Sequence, residues 1–286
     1  MHSPTAQKAA QMTLTSHFGI HFIGGGNMAT ALIGGLIRNG IHASQITVID
    51  PVEEVLERHR SHGLSAYPSF KAPQKAIDLV IWAVKPQTFR QACTDVAPHA
   101  RDALHLSVAA GLTTEALSRW LGSERIVRAM PNTPALIGKG QTGLYACAAV
   151  TQTDRECIDE VMATTGQSIW LTNEADLDTV TALSGSGPAY VFYFMESMMA
   201  AAQRMGLNPD QARQLVLGTF EGATALAMSS SDPPGVLRER VTSKGGTTFA
   251  ALEHMRGHQL AEHFGDALMA ARQRAEEMGR ELGQQS

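Results

Sequence analysis

The sequence predicts an α/β protein in which a doubly wound, mainly parallel sheet is followed by an all-helical domain. Three observations carry this. Short apolar runs alternate with helical patterns over residues 20 to about 171; each run is apolar throughout; and beyond Asn173 the strand pattern stops. Strands that are apolar at every position, not every second one, are those covered on both faces, as in a parallel sheet with crossover helices.

The expected strands cover residues 20–24, 46–50, 79–84, 104–108, 126–130, 143–148 and 168–171. In the second part, Asn208-Pro209-Asp210-Gln211 reads as a helix start, with a capping residue, proline at the first helical position and Gln three residues after the cap. The preceding helix, about 189–205, carries Val191, Phe192, Tyr193, Phe194, Met195, Met198 and Met199 on all sides. A helix apolar all round must be packed all round, which in a small domain points to a partner chain. The last helix shows Leu260, Phe264, Ala267, Ala271, Ala275, Met278 and Leu282 at spacings of three and four, an ordinary amphipathic stripe.

At 286 residues the chain exceeds the usual single-domain size. We expect a sheet domain over 19–174 and a helical domain over 175–286. Residues 1–18, rich in Ala, Gln, Ser and Thr and without the apolar stretch of a signal peptide, read as a loose leader. The formal net charge of −4, with no long run of one sign, lacks the footprint of a nucleic-acid binder, so a small-molecule partner is expected. No apolar run reaches the roughly 18 residues of a membrane span. The nearest, 189–202, is broken by Glu196. Cys93, Cys147 and Cys157 are odd in number and have no C-x-x-C spacing, so neither a disulfide framework nor a zinc site is indicated. A cytoplasmic location is expected.

The first strand, ending in Ile23, runs into Gly24-Gly25-Gly26-Asn27-Met28-Ala29 and then a helix. This is the G-x-G-x-x-G/A turn of a Rossmann-type dinucleotide site in its strand-to-helix context. Gly24 allows the tight turn, Gly26 lets the backbone approach a pyrophosphate, and Ala29 lets helix pack on strand. The unpaired N–H groups of the helix start face the anion. The second strand ends in Asp50, where an acid accepts from the ribose 2′-hydroxyl of NADH and repels the 2′-phosphate of NADPH. Arg58 or Arg60 could fold back toward that phosphate. Asp50-Pro51 also reads simply as the cap and first residue of the next helix.

Ligands of doubly wound sheets lie beyond the carboxyl ends of the strands. There the sequence places Ala83-Val84-Lys85-Pro86, Val108-Ala109-Ala110 and Met130-Pro131-Asn132-Thr133-Pro134. Further on come Leu183-Ser184-Gly185-Ser186-Gly187-Pro188-Ala189-Tyr190 and Val241-Thr242-Ser243-Lys244-Gly245-Gly246-Thr247-Thr248. The latter, hydroxyls and glycines feeding a helix start, offers donors to a carboxylate without an arginine, or is an elaborate helix cap.

In this order, from Ile20 onward, these stretches resemble pyrroline-5-carboxylate reductases. The most specific part is Pro234 through Leu237, Val241-Thr242-Ser243, Gly245-Gly246-Thr247-Thr248, Ala251-Leu252 and Met255. Arg256 stands where the family usually has a polar or acidic residue. Asp50 stands where many members have Ser or Asn followed by Arg and favour NADPH. The resemblance implies reduction of 1-pyrroline-5-carboxylate to L-proline by hydride transfer from NADPH or NADH to the C=N carbon. It implies a substrate carboxylate held by Ser243, Gly245, Gly246 and Thr247, with the ring nitrogen near the Thr248 hydroxyl. A homodimer through the helical domain, or a ring of dimers, is also implied. A protonated cyclic imine is already an electrophile and needs orientation more than a strong acid, so no catalytic His or carboxylate pair is required.

Two rival readings stay open. A β-hydroxyacid dehydrogenase would share the architecture but place a lysine on the helix after the domain junction, and residues 189–205 contain none. A non-catalytic dinucleotide-sensing dimer would leave the Ser243–Thr248 loop without a purpose. His254 and His258, four apart, could share a helical face as metal ligands, but Gly257 between them predicts a helix end, and no metal site is expected.

Overall fold

The fold is described by a computed structural model over residues 18–71 and 77–283. The expected leader lies outside the described residues except for Phe18. The chain forms two compact units. One comprises the described residues up to Gly185 together with those from Arg272; the other is Ser186–Ala271.

The first unit holds eight strands: β1 (Ile20–Ile23), β2 (Ile46–Ile49), β3 (Ser65–Tyr67), β4 (Leu79–Trp82), β5 (Leu104–Ser107), β6 (Ile126–Met130), β7 (Gly140–Ala146) and β8 (Gly166–Trp170). They form one sheet in the order β3-β2-β1-β4-β5-β6-β7-β8. All neighbours are parallel except β6 and β7. Between them lie α1 (Asn27–Arg38), α2 (Glu53–Ser61), α3 (Pro86–Val96), α4 (Thr114–Leu121) and α5 (Gln152–Ala163), followed by the short α6 (Asp176–Val180) and a π-helical turn over Thr181–Gly185.

Alternate residues of one strand feed two separate cores. Leu79 and Ile81 of β4 pack with Leu32 and Leu36 of α1 and with Ile158 and Val161 of α5. Val80 and Trp82 pack with Phe89 and Cys93 of α3 and Leu117 of α4. Both faces are therefore covered, which is why the strands carry no polar alternation. β3 was not expected: it has three residues, of which only Ala66 is buried, so no apolar run marks it.

Two histidines lie in the second core. His105 Nδ1 accepts the Trp82 indole N–H at 3.1 Å. Among the described residues, His21 Nδ1 and His105 Nε2 are buried without a hydrogen-bond partner. Burial pushes both imidazoles down to about 4; for His21 the Asp78 charge opposes this, and for His105 the Ala100 backbone opposes it while Arg125 adds to it.

The second unit contains α7 (Gly187–Arg204), α8 (Pro209–Ser229), α9 (Pro234–Arg240), α10 (Thr247–Gly257) and the first half of α11 (Leu260–Gly283). The expected cap of α8 is present: Asn208 Oδ1 accepts the Gln211 N–H at 2.9 Å while Gln211 Oε1 accepts the Asn208 N–H at 3.1 Å. Tyr190 and Phe194 of α7 meet Phe264 of α11 edge-on, at centroid separations of 5.9 and 5.5 Å. Yet among the described residues of this unit only Ala202, Ala212 and Val216 are buried. Phe192 and Tyr193 are 62% and 67% exposed. The helix end expected at Gly257 is observed. The expected boundary near residue 174 falls within the first unit, ahead of α6.

Candidate active site

The carboxyl ends of the central strands come level. Gly24 N–H donates to Ile49 O at 2.8 Å, Ala83 N–H to Ile23 O at 2.8 Å and Val108 N–H to Trp82 O at 3.1 Å. Ile23–Ala29, Asp50, Ala83–Pro86 and Val108–Ala110 are thereby brought to one edge of one sheet, the edge at which doubly wound sheets bind ligands.

The first turn there has two different glycine requirements. Gly24 has φ +93°, and a Cβ on it would stand 2.6 Å from Ala83 O. Gly26 has φ −69° and caps α1 without any side-chain hydrogen bond. A Cβ on Gly26 would meet nothing within 4 Å among the described residues. The Gly26 N–H is taken up by no hydrogen bond among the described residues. Space, an open N–H and an uncapped helix start are what an approaching diphosphate needs, so these residues fit a dinucleotide.

Asp50 and α2 hold this turn from the side. Asp50 Oδ2 accepts the Gly25 N–H at 2.8 Å and Oδ1 accepts the Val52 N–H at 2.9 Å. Asp50 does not cap α2, as one reading of Asp50-Pro51 expects; Val52 is the cap and the helix begins at Glu53. Arg58 does fold back: its guanidinium donates to Gly25 O at 2.9 Å. His59 Nε2 lies 2.8 Å from the same oxygen. Arg60 instead pairs with Glu53 at 2.5 Å. His59 escaped the sequence reading, although its spacing of three from buried Leu56 places it on the inward face of α2.

Lys85 caps α3 ahead of Pro86 and is exposed, its carbonyl accepting from Thr88. Asn132 is buried and uses both ends of its amide. Its Oδ1 accepts the Gln141 N–H at 2.9 Å, and its Nδ2–H donates to Ser184 O at 3.0 Å, tying the end of β6 to the π-helical turn. Arg128 on β6 pairs with Glu174, whose carboxylate also accepts from the Thr114 N–H and hydroxyl, both at 2.6 Å. Neither the Asn132–Ser184 bond nor this ion pair is visible in the sequence, because the partners lie 52 and 46 positions apart along the chain.

In the second unit, Gly245 has φ +74°, and a Cβ on Gly246 would stand 2.5 Å from Ser243 Oγ. Gly246 begins α10 with no side-chain cap. The reading of this segment as an elaborate side-chain cap is thus not what is observed. Ser243, Lys244, Thr247 and Thr248 are exposed within the single chain. The loop presents hydroxyls, a lysine and uncapped N–H groups together, a set that suits a small carboxylate. His258 Nδ1 lies 2.8 Å from His254 O, a local helix-end contact. Among the described residues no cluster of three or more His, Cys, Asp or Glu side chains could hold a metal.

Comparison with known proteins gives a consistent result. The model of the pyrroline-5-carboxylate reductase dimerisation family matches residues 174–278. A model described as NADP oxidoreductase, coenzyme F420-dependent, matches residues 19–111. The pyrroline-5-carboxylate reductase of Pseudomonas aeruginosa is 42% identical over 270 residues, covering 93% of this chain and 98% of that one. A pyrroline-5-carboxylate reductase structure from Coxiella burnetii is similar with a TM-score of 0.84 at 36% identity, covering 92% and 98% of the two chains. The Plasmodium falciparum pyrroline carboxylate reductase, solved with NADP bound, is similar with a TM-score of 0.82 at 29% identity, covering 92% and 99%.

Proposed function

The chain belongs to the pyrroline-5-carboxylate reductase family, oxidoreductases that reduce 1-pyrroline-5-carboxylate to proline with a nicotinamide cofactor, and from that premise we propose how its own residues serve the reaction. The observation that carries the reading is the presence in one chain of two helix starts without a side-chain cap, one behind Gly26 and one behind Gly246. The first suits a diphosphate and the second a carboxylate.

When bound, a reduced nicotinamide would supply a hydride to the C=N carbon of the substrate, whose ring nitrogen arrives already protonated. Gly24, Gly25, Gly26 and the first turn of α1 hold the diphosphate, while Ala83–Pro86 and Val108–Ala110, small or rigid residues at strand ends, leave room for the ring. Ser243 and the Thr247 N–H at the start of α10 fix the substrate carboxylate, while the Gly246 N–H, which donates to Ser243 O at 3.0 Å, closes the turn that presents them. The Thr248 hydroxyl holds the ring nitrogen, whose electron pair forms as the π bond is broken. Orientation of two bound partners is the main contribution, since such placement supplies much of a barrier reduction without a strong acid.

NADH is the favoured cofactor in this reading, with NADPH accepted. A carboxylate has about four acceptor sites, and the two backbone donors on Asp50 leave others for the ribose hydroxyls. Arg58, already folded onto the same turn, offsets the charge of a 2′-phosphate. Dimerisation through the second unit would cover side chains such as Phe192 and Tyr193, which one chain leaves in water. Three cysteines without a disulfide agree with a cytoplasmic setting. The test is a cuvette assay with purified protein, pyrroline-5-carboxylate and either reduced cofactor. Cofactor oxidation with matching proline formation supports the reading; folded protein that binds cofactor yet forms no proline overturns it.

A further inference from the structure

We propose that His59 is a positioning residue for the cofactor diphosphate, acting through the Gly25 carbonyl. The role rests on the reading of the Gly24–Ala29 turn as the nucleotide site. His59 is 3% exposed, beneath the turn rather than on the surface. Its Nε2 lies 2.8 Å from Gly25 O. A carbonyl only accepts, so Nε2 must carry the hydrogen and donate.

The consequence follows from the planar trans peptide. The Gly25 carbonyl and the Gly26 N–H belong to the same peptide group, and in a trans peptide they point in opposite directions. No cis peptide occurs among the described residues. With the carbonyl drawn toward α2 by His59, the Gly26 N–H is turned away from α2. The preceding peptide is fixed independently, by the Gly25 N–H on Asp50. Both peptide groups flanking Gly25 are therefore locked, and a glycine, otherwise free to rotate, presents a preset donor. Arg58 touches the same oxygen but is exposed, and lacks the packing that holds His59: a Cβ on Gly25 would stand 3.0 Å from His59 Nε2 and 2.6 Å from Val55.

Because the diphosphate is common to both cofactors, loss of His59 should weaken them equally. That separates it from Arg58 and Asp50, which face the question of the 2′-phosphate. The experiment measures Kd for NADH and NADPH on the full-length protein by nucleotide fluorescence, with kcat and both KM values, for wild type, His59→Leu, His59→Gln and His59→Asn. Loss of one preset donor should raise both Kd values by about tenfold in His59→Leu. The nucleotide KM should follow, while kcat at saturation falls far less and the KM for pyrroline-5-carboxylate stays near wild type. The longer Gln amide reaches the Gly25 oxygen and should recover most of the affinity; Asn falls short and should not. Wild-type affinity in His59→Leu, or a loss confined to one cofactor, would overturn the proposal. Should His59→Leu not fold, equal Kd values in the Gln and Asn variants would overturn it. Wild type that binds neither cofactor sinks the nucleotide site itself; wild type that binds both beside an unaffected His59→Leu sinks only the role of His59.

Discussion

Asp50 Oδ2 accepts the Gly25 N–H at 2.8 Å, so the acid at the end of β2 is a structural part of the glycine turn. Its charge and its backbone contact are separable. Asp50→Asn keeps an acceptor oxygen for Gly25 and removes the charge that repels a 2′-phosphate. The ratio of kcat/KM for NADPH over NADH should rise about tenfold, in line with about 1.4 kcal/mol. Arg58→Met should move it the other way, roughly fivefold, as expected for an exposed charge pair. An unchanged ratio in both variants would remove this turn from cofactor selection.

Gly24 and Gly26 should fail differently when replaced by alanine. Gly24→Ala places a Cβ 2.6 Å from Ala83 O at φ +93°, so it should lower the melting temperature and cost at least about 1 kcal/mol of stability. Gly26→Ala meets no neighbour within 4 Å, so it should melt with the wild type while binding either cofactor at least tenfold more weakly. Thermal melts beside nucleotide titrations distinguish the two. Equal cofactor affinity in Gly26→Ala would mean that the diphosphate does not use this space.

Thr248→Ala should lose far more turnover than cofactor affinity. Removing one oriented donor at a reacting centre costs on the order of 100-fold in kcat, whereas the Gly24–Ala29 turn is untouched. Steady-state kinetics and cofactor Kd on the same preparation check this. Equal kcat in the variant would take Thr248 out of the reaction.

The buried histidines predict acid lability. Both imidazoles are held neutral by burial, with values lowered to about 4, so their contribution to stability is complete above the ordinary value of 6.5. It is lost as pH falls from about 6.5 to about 4, because protons bind the unfolded chain first. The scale is a few kcal/mol for each residue. Melting temperature should fall over that interval, and His21→Leu should flatten part of the drop. A melt that does not change with pH there would contradict the burial of neutral imidazoles.

The sheet and the glycine turn were legible because their requirements are local. Strands buried on both faces must be apolar throughout, and a turn at φ +93° needs the glycine that stands at Gly24. The Ser243–Thr248 loop was legible for the same reason: Gly246 is forced by the Ser243 hydroxyl three residues away. β3 left no signal because an edge strand of three residues buries only Ala66. His59 and Gly25 are 34 positions apart, and Arg128 and Glu174 are 46 apart, so their pairing exists only once the strands are in register. Nor does the even amphipathic stripe of α11 show that the helix divides between two units at Ala271 and Arg272.

Delivery of a hydride from nicotinamide to the C=N carbon of 1-pyrroline-5-carboxylate can be followed by isotope transfer. The protein would be given pyrroline-5-carboxylate and reduced cofactor carrying deuterium on the transferable face of C4, and the product analysed by mass spectrometry. The expected product is proline with a single deuterium, on the ring carbon that was doubly bonded to nitrogen. Oxidation of the cofactor without labelled proline, from protein that binds both ligands, would contradict it.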